Sequence, residues 1–220
     1  MSVSIYQEYC NLTKKHRDTH GEKSVVLLQV GSFFEIYGFR DTDGKVTADV
    51  DIVGISAICN LNISEKKAHH ENKKVLMSGF RDYTLEKFLE KLTQAQYTAC
   101  VYVQEKEGSK IVRVFDAAYS PGTYLSFESN QQSMTNYIAC IWMELFHPTS
   151  RKTLSKTRET LVCGVSMVNI LTGTSYLFEY CTPHTMNPST FDELERMILT
   201  HSPSEIIFIS PFVQDDVDKI

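Results

Sequence analysis

The sequence predicts an α/β protein of two domains. A chain of 220 residues is long enough for two small domains, each with its own core. Buried-type strands such as Ser24–Val30 alternate with helical segments such as Leu85–Leu92, whose apolar residues recur every three or four positions. A turn at Ser120–Thr123 followed by polar residues separates two such alternations. We therefore predict domains at residues 1–128 and 133–220.

The first domain is predicted to begin with an amphipathic helix and to continue mainly as strands. Apolar residues at Ile5, Tyr9 and Leu12 indicate a helix within Ser4–His16, which we expect Asp18–Gly21 to break. The other predicted strands are Phe33–Tyr37, Asp49–Cys59, Lys74–Phe80, Thr98–Gln104 and Lys110–Phe115, with the helix Leu85–Leu92, an Asp41–Gly44 turn and an exposed loop at Asn60–Lys74.

The second domain is predicted to be a three-stranded meander followed by a helix and a strand. The helix is indicated by a stripe of Phe191, Leu194, Met197 and Ile198. The strands are Tyr137–Phe146, Leu161–Val168, Thr174–Glu179 and Glu205–Ile209, and the polar, basic segment His147–Glu159 is a loop. A further helix is expected to start before Ile220, so we expect the chain to be a piece of a longer protein.

Charge and cysteine usage restrict the possible functions. The net charge is −5, whereas most DNA-binding proteins carry an excess of basic residues on the DNA-contacting surface. The first 125 residues, however, are neutral, with 16 basic and 16 acidic side chains, so this part is the better candidate for contacting DNA. The six cysteines form no zinc spacing and are expected to be buried free thiols. With no signal peptide and no membrane span, the protein is predicted to be intracellular.

No motif in the sequence indicates an enzyme. Nucleotide-binding glycine loops and the H-E-x-x-H zinc motif are absent from the sequence. His69–Glu71 could hold a metal, although a solvated loop is the favoured interpretation. Asp49 and Asp51 could hold Mg²⁺ as in nucleases, but nothing nearby completes such a site and a strand edge is favoured. We therefore predict no catalytic activity and no metal for this chain.

The informative segment is Gly31–Tyr37, which reads G-S-F-F-E-I-Y. Two aromatic residues beside a glycine turn usually belong to a core. A ring at a strand end could instead enter a base stack, and a carboxylate two residues later could accept a hydrogen bond from a base edge. Because Phe33 and Glu35 are two positions apart, an extended chain puts both on one side. Such a pair would test how easily a base leaves its stack, which a mispaired step permits more readily.

This segment resembles G-D-F-Y-E-L-F of the bacterial MutS family of DNA mismatch repair proteins. Other parts of the chain resemble the family in the same order: Met77–Phe80 its M-A-G-I-P-Y-H, Ala99–Glu105 its V-A-I-C-E-Q, and Val112–Thr123 its V-R-x-V-T-P-G-T. In the second domain, Asn136–Trp142 and Gly164–Gly173 resemble segments of the MutS connector domain. The G-S-F-F-E-I-Y sequence resembles that of the divergent MutS branch found in giant viruses and octocoral mitochondria.

The resemblance implies a mismatch-recognition domain of mixed-sheet α/β fold, followed by an incomplete, ribonuclease-H-like connector domain. It implies that Phe33 stacks on a mispaired base and Glu35 hydrogen-bonds it, with Gly31, Ser32 and Phe34 in the same DNA-binding segment. The partner would be double-stranded DNA with a mismatch or small loop. The full-length parent would be a dimer that binds ATP and Mg²⁺ outside this chain and works in a nucleus, mitochondrion or viral factory.

Four departures from the family pattern bear on that reading. Gln29 stands where an arginine-like residue is usual, which weakens the expected backbone contact, and Ser32 replaces an acidic residue. Arg81–Tyr83 replaces P-Y-H, and the segment Asn60–Lys74 differs from the family's loop. Two alternatives therefore stay open. One is a protein-interaction module that has lost mismatch reading, which the acidic second domain favours. The other is a metal-dependent nuclease.

Overall fold

The computed structural model describes residues 4–47, 50–108, 110–125, 136–146, 159–184 and 188–210. The chain divides into two compact units, Met1–Glu128 and Ser129–Ile220. Each contains a mixed β-sheet with helices, which confirms the α/β class. The further helix predicted to start before Ile220 and most of the predicted loop, at 147–158, lie outside the described residues.

The first unit is built on a six-stranded sheet with the order β3-β4-β2-β1-β5-β6. Only β1 and β5 pair in parallel; the remaining neighbours are antiparallel. The two central strands are apolar almost throughout, as expected for strands covered on both faces. The strands are β1 (Ser24–Val30), β2 (Phe33–Arg40), β3 (Ser64–His70), β4 (Lys73–Arg81), β5 (Thr98–Glu107) and β6 (Lys110–Tyr119).

Three helices cover the two faces of this sheet: α1 (Ile5–His20), α2 (Ile52–Cys59) and α3 (Leu85–Gln94). Tyr37 of β2 contacts Tyr9 of α1 edge-on, with ring centroids 5.2 Å apart. The next residue, Gly38, faces Ile52 of α2. Because neighbouring residues of a strand point to opposite faces, α1 covers one face and α2 the other. A stack of Phe80 on Phe88, at 4.0 Å, brings α3 to the face of α2.

Helix α1 is one turn longer than predicted. Ser4 caps its start by accepting a hydrogen bond from the Tyr6 amide, and Gly21, with a φ of 84°, ends it. The buried residues Tyr9, Thr13 and His16 recur at helical spacing and lie on the sheet. The polar stretch before Gly21 does not break the helix, because its side chains lie on the solvent side.

Two predicted elements of the first unit are wrong. The predicted strand Asp49–Cys59 is helix α2, which begins after Asp51, whose carboxylate caps it by accepting from the Gly54 amide at 2.9 Å. Its buried residues are Ile52, Ile55, Ser56 and Cys59, a helical spacing that the surrounding apolar residues conceal in the sequence. The predicted loop Asn60–Lys74 contains β3, an edge strand of polar residues held by its pairing with β4.

The second unit contains a four-stranded sheet with the order β10-β7-β8-β9. Strands β7 to β9 form the predicted antiparallel meander, and β10 pairs in parallel with β7 after helix α4. Leu194 and Met197 of α4 bury one face of the sheet, while the opposite face exposes Trp142 and Leu177. The elements are β7 (Tyr137–Phe146), β8 (Thr160–Asn169), β9 (Ser175–Pro183), α4 (Asp192–His201) and β10 (Glu205–Ile209).

The six cysteines are all free thiols, but only three are buried: Cys59, Cys100 and Cys163. Burial raises the pKa of the Cys59 thiol to about 11, so this group is protonated at neutral pH. Cys181 is exposed, contrary to the expectation that the thiols are buried. Among the described helices, none has both the length and the apolar character needed to cross a bilayer.

Candidate nucleic-acid interface

Strands β1 and β2 are joined by a two-residue hairpin turn at Gly31-Ser32. Val30 pairs with Phe33 across the turn, and Gly31 has a φ of 62°. Ser32 is not among the residues with positive φ, which is the pattern of a type II′ turn with glycine in its first central position. Both turn residues are exposed, so the start of β2 is presented to solvent at the end of the sheet.

Side-chain hydrogen bonds fasten this turn to the neighbouring strand β5. The Gly31 amide donates to Oε1 of Gln104 at 3.0 Å, and the Gln104 amide donates to Oε1 of Gln29 at 2.7 Å. The Arg113 guanidinium donates to the Gln29 carbonyl and pairs with Glu8 of α1 at 3.1 Å. Gln29, a departure from the family pattern, therefore has a structural role here, since its side chain bonds the backbone of β5.

Phe33 is the aromatic side chain that this turn presents. It is 39% exposed although β2 is an interior strand, because Phe33 is the first residue of that strand, at the end of the sheet. Its partner across the β2–β4 pairing is Arg81, whose guanidinium lies over the Phe33 ring at 5.1 Å from the centroid. The Asp82 amide donates to the Ser32 carbonyl at 3.0 Å and holds the end of β4 against the turn. An exposed ring and a cation thus share one corner of the sheet.

Phe34 points to the opposite face of β2. It is 2% exposed and packs against Phe80, with ring centroids 5.9 Å apart. A side chain enclosed in this way cannot reach DNA. We therefore assign Phe34 to the core and not to the DNA-contacting surface that the family resemblance suggested.

Glu35 extends from the same face of β2 as Phe33, but it is largely buried, at 9% exposure. Its Oε2 accepts hydrogen bonds from the Tyr37 hydroxyl at 2.5 Å and from the Lys66 ammonium at 2.7 Å. Burial raises the pKa of Tyr37, and the Glu35 carboxylate raises it further, so this hydroxyl keeps its proton and donates it. Within the described residues, no hydrogen bond is made to Oε1, so that oxygen is available as an acceptor.

Lys66 belongs to a basic hairpin that sequence reasoning missed. The segment Ser64–Arg81, comprising β3 and β4, carries five Lys and Arg residues against two Glu. The polar residues up to Lys74 favour a loop in the sequence, although lysines are also common on exposed edge strands. The signal in the sequence was the run of lysines itself, which gives this part of the neutral first domain a local excess of positive charge.

Several residues of the two metal sites considered in the sequence have other roles in the structure. His70 packs on Phe39, with ring centroids 5.3 Å apart, and Glu71 lies in the turn between β3 and β4 with a φ of 48°. The carboxylate of Asp51 caps helix α2 and accepts from the Tyr97 hydroxyl at 3.4 Å. Asp49 lies outside the described residues.

With this geometry established, comparison with known proteins identifies the family. The sequence profile of MutS domain I matches residues 4–128, more than half of the chain. The chain belongs to the MutS family. Its first unit is the MutS N-terminal mismatch-recognition domain, and the profile spans the exposed Phe33 corner as well as the basic hairpin.

Named relatives cover nearly the whole chain. The mutS homolog L359 of Acanthamoeba polyphaga mimivirus, named as a DNA mismatch repair protein, is 27% identical over 97% of the chain and 18% of its own length. The DNA mismatch repair protein MutS of Parabacteroides distasonis is 24% identical over 94% of the chain and 20% of its own. That of Prochlorococcus marinus is 24% identical over 92% and 19%. The chain thus spans about a fifth of the length of these relatives.

Proposed function

We propose that this chain is the mismatch-reading part of a MutS-like DNA mismatch repair protein, with Phe33 stacking on a mispaired base and Glu35 hydrogen-bonding it. The observation that carries the proposal is the exposed Phe33 ring at a pinned hairpin turn, two residues from a carboxylate with a free oxygen. The family membership of residues 4–128 supports the same reading.

Phe33 would act as a wedge that tests the stability of a base stack. A ring inserted beside a base recovers about 1–3 kcal/mol of stacking whatever the base, so it reads no sequence. The duplex must be unstacked and kinked to admit it, and a mispaired step deforms at lower cost than a matched one. The hydrogen bonds from Gly31 to Gln104 and from Gln104 to Gln29 support this role, because a wedge on a loose loop would move aside.

Glu35 would supply the polar part of the contact through Oε1. A free carboxylate near DNA is repelled by phosphate, but here the Lys66 ammonium 2.7 Å from Oε2 offsets the negative charge. The same two hydrogen bonds on Oε2 orient the carboxylate before DNA arrives, which reduces the entropy lost on binding. A base displaced by Phe33 could then donate to Oε1.

Affinity for the DNA backbone must come largely from elsewhere in a longer protein, because the first 125 residues are neutral. We propose that the parent is an intracellular dimer whose ATP and Mg²⁺ bind outside this chain, which itself is not an enzyme. The parent would be an ATP-driven sensor. The second unit would be its ribonuclease-H-like connector domain, which its strand order and parallel β7–β10 pairing support.

The test uses the 220-residue chain and short duplexes with 2-aminopurine beside a matched pair, a mismatch or one unpaired base. Low salt is needed, because binding weakens steeply as salt rises. Wild-type protein should bind the mismatched duplex more tightly and raise the 2-aminopurine fluorescence as the base unstacks. Phe33→Ala should lower this preference at least about fivefold, since a stacked ring contributes about 1–3 kcal/mol.

Phe115→Ala is a matched control, because Phe115 is 46% exposed on β6, at the other edge from β3 in the same sheet. It should leave the preference unchanged. Glu35→Gln should weaken mismatch binding while the protein stays folded. Equal preference in Phe33→Ala and wild type would refute the role of Phe33. Equal binding of matched and mismatched duplexes by wild-type protein would instead favour the interaction-module alternative. The exposed apolar face at Trp142 and Leu177 supports that alternative.

A further inference from the structure

Three side chains with metal-binding atoms converge beneath the C-terminal half of helix α1. His16 and His20 lie four residues apart on one side of the helix, and Cys100 lies on β5 below them. Their ligand atoms, one from each side chain, all lie within 4.8 Å of one another. Two imidazoles and a thiolate are ligands that Zn²⁺ and related transition-metal cations prefer in proteins. The cluster is in the first unit and has no part in the proposed DNA contact.

His16 is the member whose surroundings point to a ligand. The residue is only 5% exposed, and its Nε2 lies 2.9 Å from the Tyr102 hydroxyl. Its Nδ1 is buried and has no hydrogen-bond partner among the described residues. A buried polar atom left unpaired costs about 1–3 kcal/mol, so such atoms are uncommon. If Nε2 donates to Tyr102, Nδ1 presents a lone pair, which is how a metal-binding histidine is oriented by its outer partner.

The other two members complete the arrangement from the protein interior and from solvent. Cys100 is fully buried, and burial raises the pKa of its thiol to about 12. A metal ion would therefore replace the thiol proton, which leaves to solvent as the sulfur–metal bond forms. His20 is exposed and its ring stacks on that of His16, with centroids 5.6 Å apart, so it would leave this stack and turn toward an incoming ion. That movement is required, because a tetrahedral zinc site with bonds of about 2.0–2.3 Å brings its ligand atoms closer than 4.8 Å.

We propose that His16, His20 and Cys100 form a binding site for one transition-metal cation of the Zn²⁺ class, with the fourth position taken by water. A metal bound there joins α1 to β5. Strand β5 carries Gln104, which fastens the Gly31 turn, so the ion would stiffen the scaffold around the proposed base wedge. The site is independent of whether that wedge reads mismatches, because its ligands do not contact Phe33 or Glu35.

The test is a titration of the reduced, metal-free 220-residue chain with Co²⁺, followed by Zn²⁺. One equivalent of Co²⁺ should produce visible absorption bands together with a near-ultraviolet sulfur-to-cobalt band, and Zn²⁺ should remove both. Zinc should also raise the melting temperature of the first unit, because a ligand that binds only the folded state stabilises it. His20→Asn and Cys100→Ser should each weaken Zn²⁺ binding at least tenfold.

Matched controls are His201→Asn, a histidine in the last turn of α4, and Cys181→Ser, an exposed thiol. Both should bind metal as the wild type does. Since His20 is exposed, its substitution should not affect folding, which keeps the test valid even where Cys100→Ser unfolds the unit. The proposal is overturned if no sulfur-to-cobalt band forms, if the band is lost in Cys181→Ser instead, or if His20→Asn binds Zn²⁺ with unchanged affinity.

Discussion

The ion pair between Glu35 and Lys66 should contribute more to stability than an exposed ion pair with a similar distance between nitrogen and oxygen. The substitution Lys66→Met keeps most of the unbranched apolar part of the side chain and removes its charge. Glu35 then remains largely buried with one hydrogen bond, from Tyr37, in place of two on Oε2. The carboxylate can recover little hydration, because its side chain is 12% exposed.

The size of the effect follows from burial. Exposed ion pairs contribute about 0.2–1 kcal/mol, whereas removing one partner of a fully buried pair costs about 3–5 kcal/mol. The Lys66 side chain is 29% exposed, so this pair lies between the two limits. We expect Lys66→Met to lower the free energy of unfolding by about 2 kcal/mol. For a unit of this size, that corresponds to a melting temperature lower by roughly 7 °C.

The assay is urea unfolding followed by far-ultraviolet circular dichroism. The only tryptophan, Trp142, belongs to the second unit, so its fluorescence separately reports the unfolding of that unit. Lys74→Met is a matched control, because Lys74 pairs with Glu65 at a similar distance of 2.8 Å on the same hairpin, with both side chains exposed. That substitution should leave the transition nearly unchanged.

A double-mutant cycle isolates the pairwise contribution. Combining Lys66→Met with Glu35→Gln removes both charges, so the second substitution should cost less in the variant than in the wild type, by about 1 kcal/mol or more. Additive effects in the cycle, or equal losses for Lys66→Met and Lys74→Met, would contradict this prediction, because Glu35 would then not depend on the cation beside it.

Three further expectations follow from other contacts. Gly79→Ala should lower the free energy of unfolding by about 1–3 kcal/mol in the same urea assay, because its Cβ would lie 2.6 Å from a backbone oxygen of β2. Gly164→Ala is the control and should be tolerated, because the nearest atom to its Cβ would be 3.8 Å away. Arg81→Ala should lower the slope of log affinity for DNA against log salt by about 1 if Arg81 contacts a phosphate, and an unchanged slope would exclude that contact. At pH 8, iodoacetamide should modify Cys181 but not Cys59, whose pKa of about 11 keeps it protonated, and mass spectrometry of the peptides would detect the reverse.

Much of the fold could be predicted because its local patterns agree with its tertiary environment. Strand β1 contains the apolar run Val25–Leu28, and α3 has apolar residues at helical spacing. The meander of the second unit follows from three strand patterns separated by short polar segments. In each case the apolar residues whose spacing predicts the element are also the residues that are buried in the core. The local sequence pattern and the tertiary packing therefore favour the same structure.

Helix α2 and strand β3 could not be predicted for opposite reasons. The sequence Ile52–Cys59 is apolar nearly all round, so the helical spacing of its buried residues is hidden, and its β-branched residues favour a strand. The segment Ser64–His70 is polar throughout, and only the backbone pairing with β4 makes it a strand. An edge strand of this kind depends on its neighbour for its conformation.

The α/β class and the family resemblance follow from the amino-acid sequence alone. So does the pair of residues, Phe33 and Glu35, on which the proposed function rests. Their spacing of two is a local property, since an extended chain puts them on one face wherever it folds. Which of the two aromatic residues is exposed depends on the fold: Phe33 lies at the end of the sheet, while Phe34 packs against Phe80 and is buried. The ion pair of Glu35 with Lys66, which is distant in sequence, also depends on the fold, because strand pairing brings these side chains together.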